Sequence, residues 1–241
     1  MSRFSRVFNG IFSPRKADIV PSLVTRPEFS HLPRSGFGLQ YLIDNYRFST
    51  VLDVGSGEGA HALVLEGVGK KVTRLDLGKS AYFDKDTDSD NVIVADLMTY
   101  QPSRVWDCVW ASHVLEHQVD ANRCIKKLGS LVAEGGILAV TVPPFKNNIV
   151  GGHVSAWNQG MLLYQFIMAG LDCRHAEFFK YGYNITLIIR KKEIELPENM
   201  SFDIGDIEML SEFFPAGFYH GIDGSRINRR FYGPEPKVMG F

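Results

Sequence analysis

The sequence predicts an α/β fold in which a doubly wound, mostly parallel sheet carries helices on both faces. The first observation is a short β-branched strand, Val51 to Val54, that runs directly into a glycine-rich turn and a helix. The second is that similar apolar runs alternate with helical patterns further along the chain, as they do in βαβ units. The third is the composition, with 45% hydrophobic and 22% charged residues over 241 positions, which is typical of a globular domain.

The glycine-rich turn predicts a ligand cradle. Gly55, Gly57 and Gly59 follow the strand at alternate positions, and a helix is predicted from His61. Glycine permits the tight turn and lets a ligand approach the backbone closely. The first N–H groups of the helix point back toward the same space.

Two interpretations of this cradle compete. The spacing Gly55-x-Gly57-x-x-Ala60, with Asp76 about 20 residues further on, satisfies the dinucleotide-binding pattern and would indicate NAD. Asp53, two residues before the first glycine, would repel a pyrophosphate and suits a cationic ligand instead. We therefore favour a cationic ligand.

The remaining elements follow from periodicity. An N-terminal helix is predicted over 35–48, after an extension at 1–34. Further strands are predicted at 71–77, 92–97, 106–112 and 137–142, and helices at 120–134, ended by Gly135-Gly136, and at 159–169. Residues 79–91 are polar and are predicted to form a loop. Two β-rich runs, at 172–180 and 183–191, predict a closing antiparallel hairpin.

The pattern Asp53-x-Gly55-x-Gly57-x-Gly59 resembles motif I of the class I S-adenosylmethionine-dependent methyltransferases. The resemblance extends over about residues 35 to 191. It implies a Rossmann-like seven-stranded sheet in the order 3-2-1-4-5-7-6, with one antiparallel strand. The implied methyltransferase domain is 35–192, between an N-terminal extension, 1–34, and a C-terminal extension, 193–241.

The resemblance also implies the cofactor, S-adenosyl-L-methionine, and its binding residues. These are Asp53, Gly55, Ser56, Gly57, Gly59, Asp76, Leu77, Asp96, Leu97 and Ser112. In the family, the acid at Asp76 accepts the ribose hydroxyls and the acid at Asp96 holds the adenine amino group. A solvated strand-end acid is the alternative for Asp76, and a helix N-cap is the alternative for Asp96.

The stretch from His113 to His117 allows several interpretations. His-x-x-Glu-His formally matches the inverted zinc peptidases, but a zinc site would need both histidines on one helical face. It also resembles a methyltransferase type 11-like subgroup that contains ubiquinone-biosynthesis and sugar O-methyltransferases. Some of these relatives have an acid at position 113 and bind a divalent cation with it, Glu116 and His117. Because His113 replaces that acid, we expect no metal, and Glu116 and His117 to anchor the next helix.

Four residues are candidates for the acceptor site. His113 is a candidate general base because a neutral imidazole can take a hydroxyl proton. In the segment 145–157, His153 is a second candidate base, and Asn147 and Trp157 are candidate substrate contacts, with the indole stacking on a sugar. Packing in the protein interior is the alternative for His153 and Trp157.

The expected function is methyl transfer to a small hydroxylated acceptor, such as a sugar or a nucleotide-linked sugar (EC 2.1.1.-). The alternatives are a non-catalytic protein that binds the cofactor, and an NAD-dependent oxidoreductase. Arg226, Arg229 and Arg230 lie in the apolar C-terminal extension, which either covers the active site, where it would suit an anionic substrate, or forms a homodimer interface.

Charge and cysteine content limit the other partners. A net charge of −1 gives no electrostatic case for nucleic acid. Three distant cysteines without a CxxC motif indicate reduced thiols in a cytoplasmic protein. No apolar run approaches the ~18 residues of a membrane span. A basic amphipathic helix over 3–12 would give at most weak peripheral membrane contact, and we favour its packing on protein.

Overall fold

A computed structural model describes residues 26–32, 34–83, 91–203 and 205–218. The strands are β1 Thr50–Val54, β2 Lys71–Asp76, β3 Val92–Val94, β4 Trp106–Ser112, β5 Val132–Val142, β6 Glu177–Tyr181 and β7 Asn184–Arg190. They form one sheet in the order β3-β2-β1-β4-β5-β7-β6. Strand β7 is antiparallel to both of its neighbours, and the other pairs are parallel. The predicted fold class and strand order are confirmed.

Helices cover both faces of the sheet. They are α1 Pro27–Ser30, α2 Gly36–Asn45, α3 Ala60–Gly67, α4 Ala121–Ser130, α5 Gln159–Met168 and α6 Gly205–Met209, with 3₁₀ turns at Leu115–His117 and Ser211–Phe213. Helices α1, α2 and α3 share one hydrophobic cluster with the sheet, and α4 and α5 share another on the opposite face. Among the described residues, every helix is too short or too polar to cross a membrane.

The predicted helix over 120–134 is wrong at its C-terminal end. Helix α4 stops at Ser130 and β5 begins at Val132. The register between β4 and β5 shifts where Gly135 adopts a φ of 68°. A Cβ at Gly136 would lie 2.8 Å from the Asp107 carbonyl oxygen, so the glycine pair allows an irregularity inside the strand.

The described parts of both extensions belong to the core. Phe29 and Leu32 are buried with α2 in one cluster, and Leu210 and Phe214 are buried beside α5 in the other. Burial of these side chains ties the segments to the domain through the hydrophobic effect. The predicted helix over 3–12 and the three arginines after position 225 lie outside the described residues.

Candidate functional site

The glycine turn after β1 has the conformation that its sequence predicts. Gly55, Gly57 and Gly59 have φ values of 68°, 53° and 87°, a region that disfavours side chains. Space is also restricted, because a Cβ at Gly55 would lie 2.6 Å from the Val114 side chain and one at Gly59 would lie 2.6 Å from the Arg74 guanidinium. The turn therefore needs glycine for conformation and for close approach, and it leads into the first turn of α3.

Asp53 is a buried acid with an unused oxygen. Its side chain is 1% exposed at the end of β1, and its Oδ2 atom has no hydrogen-bond partner among the residues that the structure describes. Burial raises the pKa of Asp53 to about 7, with a further contribution from Asp76, although the Arg74 charge opposes the shift. A buried carboxylate without a partner is costly unless a ligand satisfies it. This observation fits a ligand that brings an ammonium group.

Asp76 holds the turn through both of its carboxylate oxygens. Its Oδ2 atom accepts a hydrogen bond from the Gly57 N–H at 2.9 Å, and its Oδ1 atom accepts one from Gly78 at 2.8 Å. Each oxygen keeps a second lone pair for a ligand hydroxyl. The acid is therefore built into the turn, and the solvated strand-end alternative does not describe it.

The two predicted adenine contacts at the third strand are placed differently. Asp96 is exposed, and its Oδ1 atom accepts a hydrogen bond from the Met98 N–H at 2.8 Å, which leaves Oδ2 for a ligand. Leu97 turns into the core at 8% exposure, whereas Leu77 is 49% exposed beside Asp76. Leu77 is therefore better placed than Leu97 to contact an adenine ring.

Arg74 is a part of this site that the sequence did not reveal. It stands opposite Asp53 in the pairing of β1 with β2 and is 8% exposed. Its guanidinium donates to the Gly57 carbonyl at 2.7 Å and to Ser56 Oγ at 3.4 Å. The sequence did contain one signal for this residue, namely an arginine within a predicted strand and two residues before Asp76.

The tip of β4 joins three distant segments. Ser112 Oγ lies 2.7 Å from Ser35 Oγ, and His113 Nε2 lies 3.0 Å from Asn184 Oδ1. Ser35 and His113 have φ values of 59° and 57°, which are unusual for residues other than glycine and often mark functional sites. No motif marks Ser35 or Asn184 in the sequence.

Glu116 is the second buried acid whose side chain has an unsatisfied hydrogen-bond acceptor. It is 0% exposed, and neither carboxylate oxygen forms a hydrogen bond within the described part of the chain. His113 Nδ1 lies 3.0 Å from Glu116 Oε1, but the approach does not have hydrogen-bond geometry. The loop after β5 closes over this acid, because Val154 and Ser155 donate their N–H groups to the Glu116 carbonyl.

Two histidines lie beside Glu116 and form with it a candidate metal-binding cluster. One ligand atom each from Glu116, His117 and His153 lies within 4.8 Å of the others. His117 Nδ1 lies 2.8 Å from the Gly152 carbonyl, and a hydrogen bond there leaves Nε2 free as a ligand atom. Burial lowers the pKa of His153 and favours the neutral, ligating ring, against the attraction of Glu116.

This cluster fits a divalent cation. A carboxylate and two imidazoles are ligands that suit zinc and other first-row metals. The sequence predicts a site without metal because His113 replaces an acid, and spacing along the chain gave no reason to group His153 with Glu116 and His117. The peptidase interpretation does not fit, since Leu115–His117 is a single 3₁₀ turn and His113 lies outside any helix.

The remaining candidate residues of the acceptor site differ in their exposure to solvent. Trp157 is 3% exposed within the core cluster, so the prediction that its ring stacks on a sugar is not supported. Its packing alternative describes it instead. Asn147 is exposed in the loop after β5, close in sequence to Lys146, and His153 is half-buried.

Residues 29–179 match the family model of a methyltransferase domain. The chain belongs to this family, which confirms the resemblance seen in its sequence. It is 32% identical over 115 residues to an uncharacterized methyltransferase of Mycobacterium tuberculosis, a match that covers 44% of this chain and 57% of the relative. The chain therefore spans little more than half the length of the curated relatives it matches.

Two solved structures share the fold. One is a SAM-dependent methyltransferase from Archaeoglobus fulgidus, with a TM-score of 0.54, 17% identity and coverage of 64% of this chain and 91% of that one. The other is the 1,6-didemethyltoxoflavin-N1-methyltransferase of Burkholderia thailandensis, with a TM-score of 0.54, 12% identity and coverage of 74% and 80%. At these identities the likeness concerns the fold alone.

Proposed function

We propose that the chain is an S-adenosylmethionine-dependent methyltransferase that methylates a hydroxyl group of a small acceptor. The observation that carries the proposal is the buried Asp53 carboxylate at the glycine turn, whose Oδ2 atom has no hydrogen-bond partner among the described residues. Family membership supports methyl transfer, and an acid at this position supports a cationic donor over a pyrophosphate.

The chain offers a complementary group for each part of the donor. Asp53 would pair with its ammonium, Asp76 would accept its ribose hydroxyls, and Leu77 would cover its base. When bound, S-adenosylmethionine would supply an electrophilic methyl group, which the acceptor oxygen would attack in line while S-adenosylhomocysteine leaves. The protein then has to position the acceptor and exclude water.

A hydroxyl acceptor must lose its proton, and the tip of β4 has groups for this task. Glu116, His117 and His153 would hold a divalent cation, which lowers the pKa of a bound hydroxyl. His113 would take the proton on Nε2 in the tautomer that carries its ring hydrogen on Nδ1, in which Nε2 no longer donates to Asn184 Oδ1. In this arrangement His153 serves as a metal ligand. We favour this role over that of a free general base because the Glu116 carboxylate, which has no hydrogen-bond partner among the described residues, would be satisfied by a cation.

A sugar remains a candidate acceptor, but the burial of Trp157 removes one of its supports. A homodimer through the extensions and a cytoplasmic location also remain proposals. The three described cysteines are free and buried, as expected for reduced thiols.

The first experiment is calorimetry with S-adenosylmethionine and with NAD. The parent protein should bind S-adenosylmethionine in the micromolar range, Asp76→Ala should lose this binding, and the exposed-acid control Glu66→Ala should retain it. Binding of NAD alone would overturn the proposal in favour of an oxidoreductase. Tritiated methyl transfer to hydroxylated acceptors then tests catalysis, and donor binding without transfer to any acceptor would favour the non-catalytic alternative.

A further inference from the structure

Two cations meet at one tyrosine ring beside the proposed acceptor site. Lys146 Nζ lies 4.0 Å from the centroid of the Tyr183 ring, and the Arg34 guanidinium carbon lies 5.1 Å from it. The same ring stacks on His113 at 6.2 Å, with 29° between the planes. Three segments that are far apart in the sequence thus bring two positive charges to the tip of β4.

No acid among the described residues pairs with either of these charges. In the part of the chain that the structure describes, neither Arg34 nor Lys146 forms an ion pair, and both side chains are exposed. Glu116 is the acid beneath His113, but it is fully buried. Arginine and lysine without acidic partners, held beside a reaction site, favour an anionic ligand.

The backbone that carries Arg34 is anchored. The Trp110 indole N–H donates to His61 Nδ1 at 3.1 Å, and His61 Nε2 then donates to the Arg34 carbonyl at 3.0 Å. The next residue, Ser35, is 1% exposed and is bonded to Ser112. An exposed cation on a fixed backbone loses less entropy on binding a ligand than one on a free loop.

We infer that the acceptor carries an anionic oxygen group, a phosphate or a carboxylate, which Arg34 and Lys146 bind beside Tyr183. This inference rests on the proposed function, because it places the acceptor at His113. The planar guanidinium can bind such a group through two hydrogen bonds, and the ammonium adds a point charge. The pair would hold the anionic end while the acceptor's hydroxyl lies near His113.

The test uses the full chain, freed of metal with EDTA and saturated with S-adenosylhomocysteine. Inorganic phosphate and benzoate are titrated separately by calorimetry, so that the two arms distinguish a phosphate from a carboxylate. At least one anion should bind at millimolar concentration, and Arg34→Gln and Lys146→Gln should each weaken it about tenfold. Arg123→Gln and Lys126→Gln, which remove exposed charges on α4, are the matched controls and should leave binding unchanged.

The outcomes separate this inference from the proposed function. If S-adenosylhomocysteine binds but neither anion does, or if the α4 variants weaken anion binding as much as the two test variants, the anionic acceptor is refuted and the methyltransferase proposal stands. If S-adenosylhomocysteine fails to bind the parent protein, the proposed function fails, and the inference that rests on it falls as well. Circular dichroism of each variant confirms that the fold is retained.

Discussion

Donor binding should depend on pH through Asp53. Burial raises the pKa of this carboxyl to about 7, so the ligand-free protein carries it largely protonated at pH 6. An ammonium ligand pairs with the ionised form, and binding at pH 6 must therefore release a proton. The stability of the ligand-free protein should change with pH in the opposite direction to the binding affinity. The neutral Asp53 carboxyl stabilises the fold at low pH, and this contribution is lost as pH rises through about 7.

The size of the effect follows from the fraction of Asp53 that is ionised. With a pKa of about 7, roughly one-eleventh of the carboxyl is ionised at pH 6, so affinity for S-adenosylmethionine should be about tenfold lower than on the alkaline plateau. The ligand's own α-amino group titrates near ~8 and should reduce affinity above that pH. The expected profile rises from pH 6 to about 7.5 and then falls.

Calorimetry at pH 6, in two buffers that differ in ionisation enthalpy, counts the protons released. The parent should release about one proton per ligand, whereas Asp53→Asn should bind more weakly and release none. Asp44→Asn, which changes an exposed acid on α2, should behave as the parent does. A flat affinity between pH 6 and 7.5 in the parent would refute the reasoning, because Asp53 would then already be ionised without ligand.

Three further predictions concern stability. In urea denaturation, Gly59→Ala should lower the free energy of unfolding more than Gly69→Ala does. Both glycines have φ above 80°, where a side chain costs about 1–2 kcal/mol, but only a Cβ at Gly59 would also contact Arg74. Equal losses would contradict the close approach at the turn. Burial lowers the pKa of His61 to about 4, so the contribution of this group to stability should be lost as pH falls from about 6.5 toward 4. His61→Gln should make the free energy of unfolding depend less on pH in this range, whereas the control His175→Gln should not. Mn²⁺ should raise the melting temperature of the EDTA-treated parent and not that of Glu116→Gln, while an equal rise in both would place the ion elsewhere.

The sequence predicted those features that arise from local pattern. Strand β1, the glycine turn and the acid at the end of β2 follow from periodicity and spacing, and their backbone geometry agrees with the prediction. The hairpin of β6 and β7 is visible for the same reason. The end of α4 was misjudged because Gly135-Gly136 is as suitable for a strand irregularity as for a helix end, and the choice depends on pairing with β4.

Contacts between distant segments could not be predicted in this way. Ser35 and Asn184 meet at the tip of β4 only because α2 and the β6–β7 hairpin pack beside each other. His153 joins Glu116 because the loop after β5 is bonded to the Glu116 carbonyl. Each of these residues is unremarkable within its own segment, so a pattern along the chain carries no signal for them.

The two buried acids indicate how the site divides its work. Among the described residues, Asp53 Oδ2 and both carboxylate oxygens of Glu116 lack hydrogen-bond partners, yet Asp53 lies at the end of β1 and Glu116 follows β4, so the two acids face different neighbours. Asp53 is opposed by Arg74 and adjoins the glycine turn, whereas Glu116 is surrounded by His113, His117 and His153. A protein gains no stability from burying a carboxylate that nothing satisfies. Two such groups at one edge of the sheet are therefore consistent with the two ligands that we propose, a cationic donor at the first and a metal-bound acceptor at the second.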